Sequence, residues 1–386
     1  MHILILPSNY PNSYLPQKTV FYADYARALR EQGHEVGVLA LTPIPVRIVL
    51  QQKRMDFGLR ELVGDDFTVW LYQYPSPPKS PTLDRLLRRG LLRRLLPGYI
   101  QRKGMPDLVH AHGLRGGETA LDCKRLWDLP YIFSEHSPEY YFAGDSALSR
   151  RLFRVCAEAQ ERLAVSPQFA SYLQASVQIP FKSLPNPVDT GFFHPPPARR
   201  ARERLFTFIN IADLKENKNQ AMLIRAFARA YAGNEDYRLL IGGQGAEYSR
   251  LASLIQQLGL QGQVRLLGRL NREELRSWLW ESDCFVLSSR KETFGVVLIE
   301  AMACGLPVIA VASHGPASIV TSSKLGRLVD CDLQSLVQAM LEVPGEEYDS
   351  LAIRGHVQNN YSLLRIGEQL DTMYDRALSH HLQTAV

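Results

Sequence analysis

Short apolar runs alternate with segments of helical period along most of the chain. Runs at 3–6 and 36–41 flank a helical pattern over 21–32, which stops before Gly33, a residue type favoured just after a helix. Similar runs follow at 108–112, 131–134 and 163–166. Strands that alternate with helices in this way predict a parallel sheet with helices packed on both of its faces.

A second series of strands and helices fills the other half of the chain. Its predicted strands cover 206–211, 237–241, 264–267, 284–287 and 308–311. Between the two series, prolines from 180 to 197 and a charged run at 199–204 interrupt the periodicity, which indicates a linker. We therefore predict an α/β protein of two Rossmann-like, doubly wound parallel-sheet domains, residues 1–190 and 199–360, followed by a helix over 361–380.

The composition fits a soluble protein of two domains. The 386 residues exceed what one core usually organises, and 46% of them are hydrophobic. The formal net charge of +5 is a mild basic excess that favours anionic partners, and we predict no nucleic-acid partner. Five cysteines without a CxxC pair predict reduced cytosolic thiols. No apolar run approaches the ~20 residues that cross a bilayer, so a cytoplasmic protein is expected.

The segment 291–307 carries the clearest chemical signal. Gly295 precedes a helical pattern, and the unpaired N–H groups of a first helical turn suit a diphosphate. Glu300 would lie roughly 8–10 Å along the helix axis, within reach of a nucleotide ribose, while Glu292 would face the sugar beyond the phosphates. Alternatively, the segment is an amphipathic helix whose two glutamates face water.

This segment resembles the signature of the family 4 retaining glycosyltransferases, which have the GT-B fold. Other segments agree with that family in order and spacing, namely His110-Ala111-His112, Val165-Ser166, residues 185–189 and Gly242-Gly243-Gln244-Gly245. The likeness covers nearly the whole chain, and 291–307 is its most specific part. It implies two domains that face a central cleft, a first domain that binds the acceptor, a second that binds the donor, and a C-terminal helix over 361–380 that crosses back to the first domain.

The resemblance also assigns residues on the donor side. Lys218 matches the lysine that neutralises the leaving diphosphate, and we predict that it is catalytic together with Glu292. The predicted donor-binding residues are Gly243, Gly245, Arg269, Phe294, Gly295, Val296, Glu300 and Lys215. The family usually has an arginine beside the lysine, but Asp213 stands there in this chain. Either Lys215 or Arg269 compensates its charge, or Asp213 turns away to cap the following loop.

Residues of the first half are assigned in the same way. His112 ends a predicted strand, and the resemblance implies that it is the third catalytic residue and reaches the donor sugar; without the family, a buried core histidine would be the simpler interpretation. His136 ends another strand and is predicted to position the acceptor. Lys18 and Thr19 lie in the first loop and are predicted to contact the acceptor. Thr19 stands where the family often has glycine, which implies a reshaped pocket.

A retaining, metal-independent reaction follows from the same resemblance. The nucleotide-diphosphate sugar acts as a co-substrate, and no separate cofactor is expected. Front-face attack, in which a donor phosphate oxygen takes the acceptor proton, is favoured over a double displacement with Glu292 as nucleophile. The string Asp330-Cys331-Asp332 is of a kind that holds manganese in another glycosyltransferase fold. Asp332, however, precedes a helical pattern and is predicted to be its N-cap.

Leucines and arginines alternate between residues 83 and 103. Helical geometry puts Leu83 and Leu86 on a face opposite Arg88, and a shift of the apolar stripe after Gly90 predicts two short helices with a bend. Such a basic amphipathic pair suits an anionic membrane at the cytoplasmic leaflet, as expected for a lipid-linked acceptor. Equally, the leucines would pack on the first sheet while the arginines face solvent or bind an anionic acceptor.

The sequence thus favours a glycosyltransferase that moves a sugar from a nucleotide-diphosphate sugar to a glycan or lipid-linked acceptor. Bacterial envelope polysaccharide, exopolysaccharide or glycolipid synthesis is the expected setting. Two other classes stay open. A nonhydrolysing sugar-nucleotide epimerase would bind a similar donor without an acceptor, and a catalytically silent relative would only bind a nucleotide or a partner.

Overall fold

The structure is a computed structural model, and it describes residues 1–11, 21–51, 57–64, 67–76, 80–141, 146–197 and 205–384. The chain divides into two compact units. The first unit comprises Met1–Pro187 and Leu363–Val386, and the second comprises Val188–Ser362.

The described residues form fourteen strands and fourteen α-helices in the following order. The first unit contains β1 (His2–Pro7), α1 (Phe21–Glu31), β2 (Glu35–Pro45), α2 (Val46–Gln51), β3 (Gly58–Val63), β4 (Thr68–Ser76), α3 (Pro81–Lys103), β5 (Leu108–His112), α4 (Gly113–Trp127), β6 (Tyr131–Glu135), α5 (Ser146–Glu158), β7 (Glu161–Ala164), α6 (Pro167–Val177) and β8 (Lys182–Ser183). The second unit contains β9 (Phe206–Ile211), α7 (Gln220–Tyr231), β10 (Tyr237–Gly242), α8 (Tyr248–Gln257), β11 (Val264–Gly268), α9 (Arg272–Trp280), β12 (Cys284–Leu287), α10 (Val296–Ala303), β13 (Val308–Val311), α11 (Pro316–Ile319), β14 (Gly326–Val329), α12 (Leu333–Glu342) and α13 (Ser350–Tyr361). The last helix, α14 (Leu363–Thr384), belongs to the first unit.

Each unit is built on one sheet. Over the described residues, the first sheet has eight strands in the order β3-β4-β2-β1-β5-β6-β7-β8, and only β3 runs antiparallel to its neighbour. The second sheet has six parallel strands in the order β11-β10-β9-β12-β13-β14. These sheets confirm the predicted class of two doubly wound α/β domains.

The central strands form where the sequence is continuously apolar, because both faces of a parallel sheet are covered by helices. All six residues of β1 are buried. On one face of the first sheet, helices α1 and α14 pack against each other. Ile366, Leu370 and Tyr374 of α14 are fully buried in the core that this face covers. The C-terminal helix therefore completes the first unit, as the sequence predicts.

The second unit starts inside the linker that the prolines suggest, at Val188. Val188 donates its amide to the carbonyl of Tyr361 at 2.8 Å, and Phe193 is fully buried. Arg354 donates to the carbonyls of Thr190 and Phe193 at 2.8 and 2.9 Å. These contacts tie residues 188–197 to the second unit, whereas the sequence analysis assigned them to the first domain and the linker.

Helix α3 corrects the prediction of two short helices. It runs continuously through Gly90 over 23 residues, although it also contains Pro97. Leu83, Leu86 and Leu87 are 47%, 61% and 43% exposed, whereas Arg88 is only 2% exposed. The first half of the helix is therefore inverted relative to the predicted packing, because Arg88 lies inside and Leu83, Leu86 and Leu87 lie outside.

A buried ion network explains this inversion. Arg88 donates to Asp84 at 3.0 Å and to Glu118 of α4 at 2.6 Å. Asp84 also pairs with Arg115, and Glu118 accepts two bonds from Arg151 at 2.8 and 3.0 Å. Because charged groups are buried only with partners, this chain of alternating charges fixes which face of α3 points inward.

Strand order places one crevice in each unit. In the first sheet, the chain passes from β1 to β2 on one side and from β5 to β6 on the other. In the second sheet, it passes from β9 to β10 on one side and from β12 to β13 on the other. Ligands of doubly wound sheets bind outside the carboxyl ends of the two strands at such a switch point. The loops that follow these four strands are therefore the places to examine for a site.

Candidate active site

Two loops of the second unit carry the predicted catalytic pair. Lys218 follows β9, Glu292 follows β12, and these strands are hydrogen-bonded neighbours. Nζ of Lys218 donates to Oε2 of Glu292 at 2.5 Å, and the two side chains are 24% and 12% exposed. The fold thus holds an ammonium and a carboxylate together at the switch point of the second sheet.

Asn217 and Ser288 hold these loops together, and sequence reasoning gave neither a role. The side-chain amide of Asn217 donates to the carbonyl of Lys291 at 2.8 Å and accepts from its amide at 3.2 Å. The hydroxyl of Ser288 donates to the carbonyl of Lys218 at 2.8 Å. Since these bonds flank Lys218 and Glu292, they fix the distance between the two loops.

The first turn of α10 follows directly after Glu292. Gly295 has a φ of 100°, a left-handed conformation that favours glycine, and no side chain caps the helix. Within the described part of the chain, the amides of Val296 and Val297 donate no hydrogen bond. Unpaired amides at a helix start attract anions, so this turn can receive a phosphate group.

Phe294 and Glu300 lie on either side of this turn. Phe294 is 2% exposed, and its ring packs edge-on against Tyr361 with 5.8 Å between ring centroids. Only its backbone is therefore placed to meet a ligand. Glu300 is half-buried on α10, in the second turn from Gly295.

The glycine turn after β10 packs against protein backbone. Gly243 has a φ of 143°, and a Cβ there would lie 1.9 Å from the carbonyl oxygen of Ala212. A Cβ on Gly245 would lie 2.2 Å from the carbonyl oxygen of Leu214. The glycines are thus required for close approach to the loop that leads to Lys218, a role that their type alone did not reveal.

The charge of Asp213 is balanced by an ion pair with Lys215. Nζ of Lys215 lies 2.6 Å from Oδ2 of Asp213, and both side chains are more than half exposed. Arg269 is exposed after β11, and among the described residues no ion pair joins it to Asp213. Lys215 is therefore the residue that compensates Asp213.

The predicted histidines meet in the first unit. His110 and His112 lie on β5, and Nδ1 of His112 is 3.0 Å from Nε2 of His136, which follows β6. The imidazole of His112 is fully buried, with the ring of Tyr25 at 4.8 Å between centroids. Burial lowers the pKa of His110 and His136 to about 3 and holds that of His112 well below its usual value, so all three rings are neutral near pH 7.

Two of the predicted acceptor-binding residues, Lys18 and Thr19, lie outside the described residues. Asp332 caps α12, because Oδ1 accepts a hydrogen bond from the amide of Ser335 at 2.9 Å, which confirms the N-cap prediction.

Among the residues that the structure describes, no group of three or more His, Cys, Asp or Glu side chains is arranged to hold a metal ion. The described helices likewise include none that is both long and apolar enough to span a membrane.

Two protein-family models match the chain, one for each half. The glycosyl transferase 4-like domain matches residues 19–184, and glycosyl transferases group 1 matches residues 196–354. Together the two models match most of the chain, and the chain belongs to the glycosyl transferases. The second model includes Lys218, Glu292 and the start of α10, so the paired loops lie within the region that is characteristic of this family.

Individual members of the family show how far the likeness extends. The D-inositol 3-phosphate glycosyltransferase of Arthrobacter sp. (strain FB24) is 28% identical over 275 residues, which cover 64% of this chain and 65% of that protein. The chain thus spans just under two thirds of the length of this curated relative. 

Two solved structures share the fold. Sucrose-phosphate synthase from Thermosynechococcus elongatus has a TM-score of 0.78 at 20% identity and covers 98% of this chain and 100% of its own. Anabaena HepE in complex with UDP has a TM-score of 0.71 at 19% identity, with 97% and 100% covered. These likenesses confirm that this glycosyl transferase has the GT-B fold.

Proposed function

We propose that this protein transfers a sugar from a nucleotide-diphosphate sugar to an acceptor hydroxyl, with the donor diphosphate bound in the second unit. The observation that carries the proposal is the Lys218–Glu292 pair in the loop that leads to the unpaired amides of Val296 and Val297, with Cγ of Glu292 3.6 Å from where a Cβ on Gly295 would lie. An ammonium and helix-start amides together suit a diphosphate. The UDP complex of Anabaena HepE, a protein of the same fold, supports a nucleotide donor.

The proposed reaction retains the configuration at the anomeric carbon. The acceptor oxygen attacks that carbon, its bond to the diphosphate oxygen breaks, and a diphosphate oxygen takes the acceptor proton. Lys218 stabilises the negative charge that develops on the diphosphate, and this is the interaction that must strengthen in the transition state. Because Lys218 supplies this cation, we propose that neither a metal ion nor a further cofactor takes part.

A product assay tests this reaction. The protein is incubated with labelled UDP-, GDP- and ADP-sugars and a panel of acceptors, with and without EDTA. We expect a glycoside with the donor's anomeric configuration, formed equally in EDTA, together with a nucleoside diphosphate. An epimerised nucleotide sugar would support the epimerase alternative, and binding without any product would support the silent relative.

The acceptor is proposed to carry an anionic group, as a lipid-linked or polysaccharide precursor does. Around α3, α4 and α5, the ion pairs of the described residues join five arginines to three carboxylates. The arginines are Arg85, Arg88, Arg89, Arg115 and Arg151. This excess of positive charge lies in the unit that the family uses for the acceptor, and the names of two similar proteins contain a sugar or inositol phosphate. The acceptor panel should therefore pair each phosphorylated compound with its unphosphorylated form.

We also propose that the exposed leucines of α3 rest on an anionic bilayer at the cytoplasmic face. Leu83, Leu86 and Leu87 share one helix face with the exposed Arg93 and Arg94. Apolar side chains next to arginines suit the interface of a membrane with anionic lipids. This surface would bring the enzyme to a lipid-linked acceptor.

Vesicle flotation tests the membrane proposal. The wild-type protein should float with vesicles that contain phosphatidylglycerol, and should do so less at high salt. The double variant Leu86→Gln/Leu87→Gln should stay at the bottom of the gradient. Leu351→Gln/Leu364→Gln is the matched control, since both leucines are more than half exposed elsewhere. Wild-type protein that does not float would overturn the proposal.

A further inference from the structure

The buried imidazoles of His112 and His136 in the first unit are joined by a hydrogen bond, and the ring of His110 packs beside that of His112. A neutral imidazole has one N–H donor and one lone pair, so a bond between two such rings runs in one direction only. All three rings are kept neutral by burial, as their lowered pKa values indicate. The direction is therefore set by whatever group bonds to the end of this pair.

Asn186 is that group. Its side chain is 3% exposed, and Oδ1 lies 3.1 Å from Nδ1 of His136. An amide oxygen only accepts, so the proton of His136 must be on Nδ1 and its Nε2 must be a lone pair. Nε2 of His136 then accepts from Nδ1 of His112 at 3.0 Å, which leaves Nε2 of His112 without a proton.

Neighbouring groups do not compete for this nitrogen. His110 uses Nδ1 for the hydroxyl of Tyr374 at 2.7 Å and Nε2 for Ser134 at 2.8 Å. The hydroxyl of Tyr25 donates to the carbonyl of Pro185 at 3.2 Å. Nε2 of His112 is buried and has no hydrogen-bond partner among the residues that the structure describes.

An unpaired buried acceptor is costly, and here it ends β5, one of the two strands at the switch point of the first sheet. We propose that Asn186 is a positioning residue that sets the tautomers of His136 and His112, so that Nε2 of His112 accepts a hydrogen bond from a sugar hydroxyl of the substrate. The identity of the hydroxyl rests on the proposed function, whereas the tautomers do not.

Histidine-selective ¹⁵N NMR tests the tautomers directly. Ring nitrogens are observed by long-range proton correlation near pH 7.5, and the signals are assigned with the variants His112→Gln and His136→Gln. We expect both His112 and His136 to carry their proton on Nδ1. A proton on Nε2 of His112 in the wild-type protein would overturn the proposal.

The variant Asn186→Leu removes the accepting oxygen at nearly constant size. It should allow Nε2 of His112 to gain a proton, whereas Ser134→Ala, which affects only His110, should leave the His112 tautomer unchanged. Unaltered tautomers in a folded Asn186→Leu protein would show that Asn186 does not position the pair.

Turnover distinguishes this inference from the proposed function. With the nucleotide sugar and acceptor that give product, Asn186→Leu should lower kcat/KM about tenfold, the scale of one hydrogen bond. The Nε2 signal of His112 should move when substrate binds. Predicted tautomers without any glycoside product would contradict the proposed function alone, whereas glycoside product with Nε2 of His112 protonated would contradict this inference alone.

Discussion

Lys218 and Glu292 form a 2.5 Å ion pair across a separation of 74 residues. They meet because β9 and β12 are neighbours in the sheet although they are distant in sequence, so that their following loops share one edge. The pair is held by Asn217 and Ser288 rather than by the two charges alone. An opposing charge at this distance keeps the ammonium beside Glu292, in reach of the loop that leads to α10.

The first prediction concerns this pair. Lys218→Met and Glu292→Gln should each lower kcat by roughly 10²–10³-fold, because Lys218 stabilises the charge that develops on the diphosphate and Glu292 holds Lys218 in place. Steady-state rates with the active nucleotide sugar measure this. Lys324→Met is the control, since Lys324 is exposed in the same unit, and it should change the rate little. Full activity of Lys218→Met would contradict the assigned role.

The second prediction concerns the glycine turn after β10. Gly243→Ala should destabilise the protein by at least about 2 kcal/mol, since its Cβ would overlap the carbonyl oxygen of Ala212 and its φ is left-handed. Gly262→Ala is the matched control, with nothing within 4 Å of its Cβ, and should stay within about 0.5 kcal/mol. Urea unfolding compares them, and equal midpoints would show that the turn tolerates a side chain.

The third prediction concerns the inverted half of α3. Arg88→Met should cost about 3–5 kcal/mol, because Asp84 and Glu118 would each lose a buried partner. Arg93→Met, on the exposed face of the same helix, should have almost no effect. If both variants unfold at the wild-type urea concentration, the network does not fix the orientation of the helix.

The fourth prediction concerns pH. His110 and His136 have a pKa of about 3 when folded and about 6.5 when unfolded, so between these values the unfolded chain binds more protons and stability rises with pH. Burial raises the pKa of Glu135 from 4.5 to about 7, so this group makes stability fall as the pH rises. Glu135 contributes one proton, whereas His110 and His136 contribute two. The histidines therefore dominate, and stability should fall as the pH drops below about 6.5.

Urea midpoints between about pH 7.5 and about pH 5 measure this slope, which amounts to about 1.4 kcal/mol per pH unit for each excess proton. His110→Gln should give a shallower slope, whatever its effect on the midpoint at neutral pH. A midpoint that stays constant over this range would show that the imidazoles are not held neutral.

Most of the strands and the switch-point loops could be predicted because continuous apolar runs and glycine-marked turns are local signals. Strands β3, β4 and β8 were not predicted, and β3 is largely exposed. The course of α3 could not, since the polarity of its first half is decided by Glu118 and Arg151, which lie on other helices. Glu292 and Lys218 were identified from local sequence and resemblance. Their bridging residue Asn217 was not, because its partner is the backbone of Lys291, which carries no sequence signal.

The most direct test of the central claim is a crystal structure with the nucleoside diphosphate, UDP, GDP or ADP, that most raises the melting temperature. The account predicts a diphosphate oxygen within about 3 Å of Nζ of Lys218 and of the amide of Val296. A diphosphate bound elsewhere, with both of these groups unengaged, would contradict it.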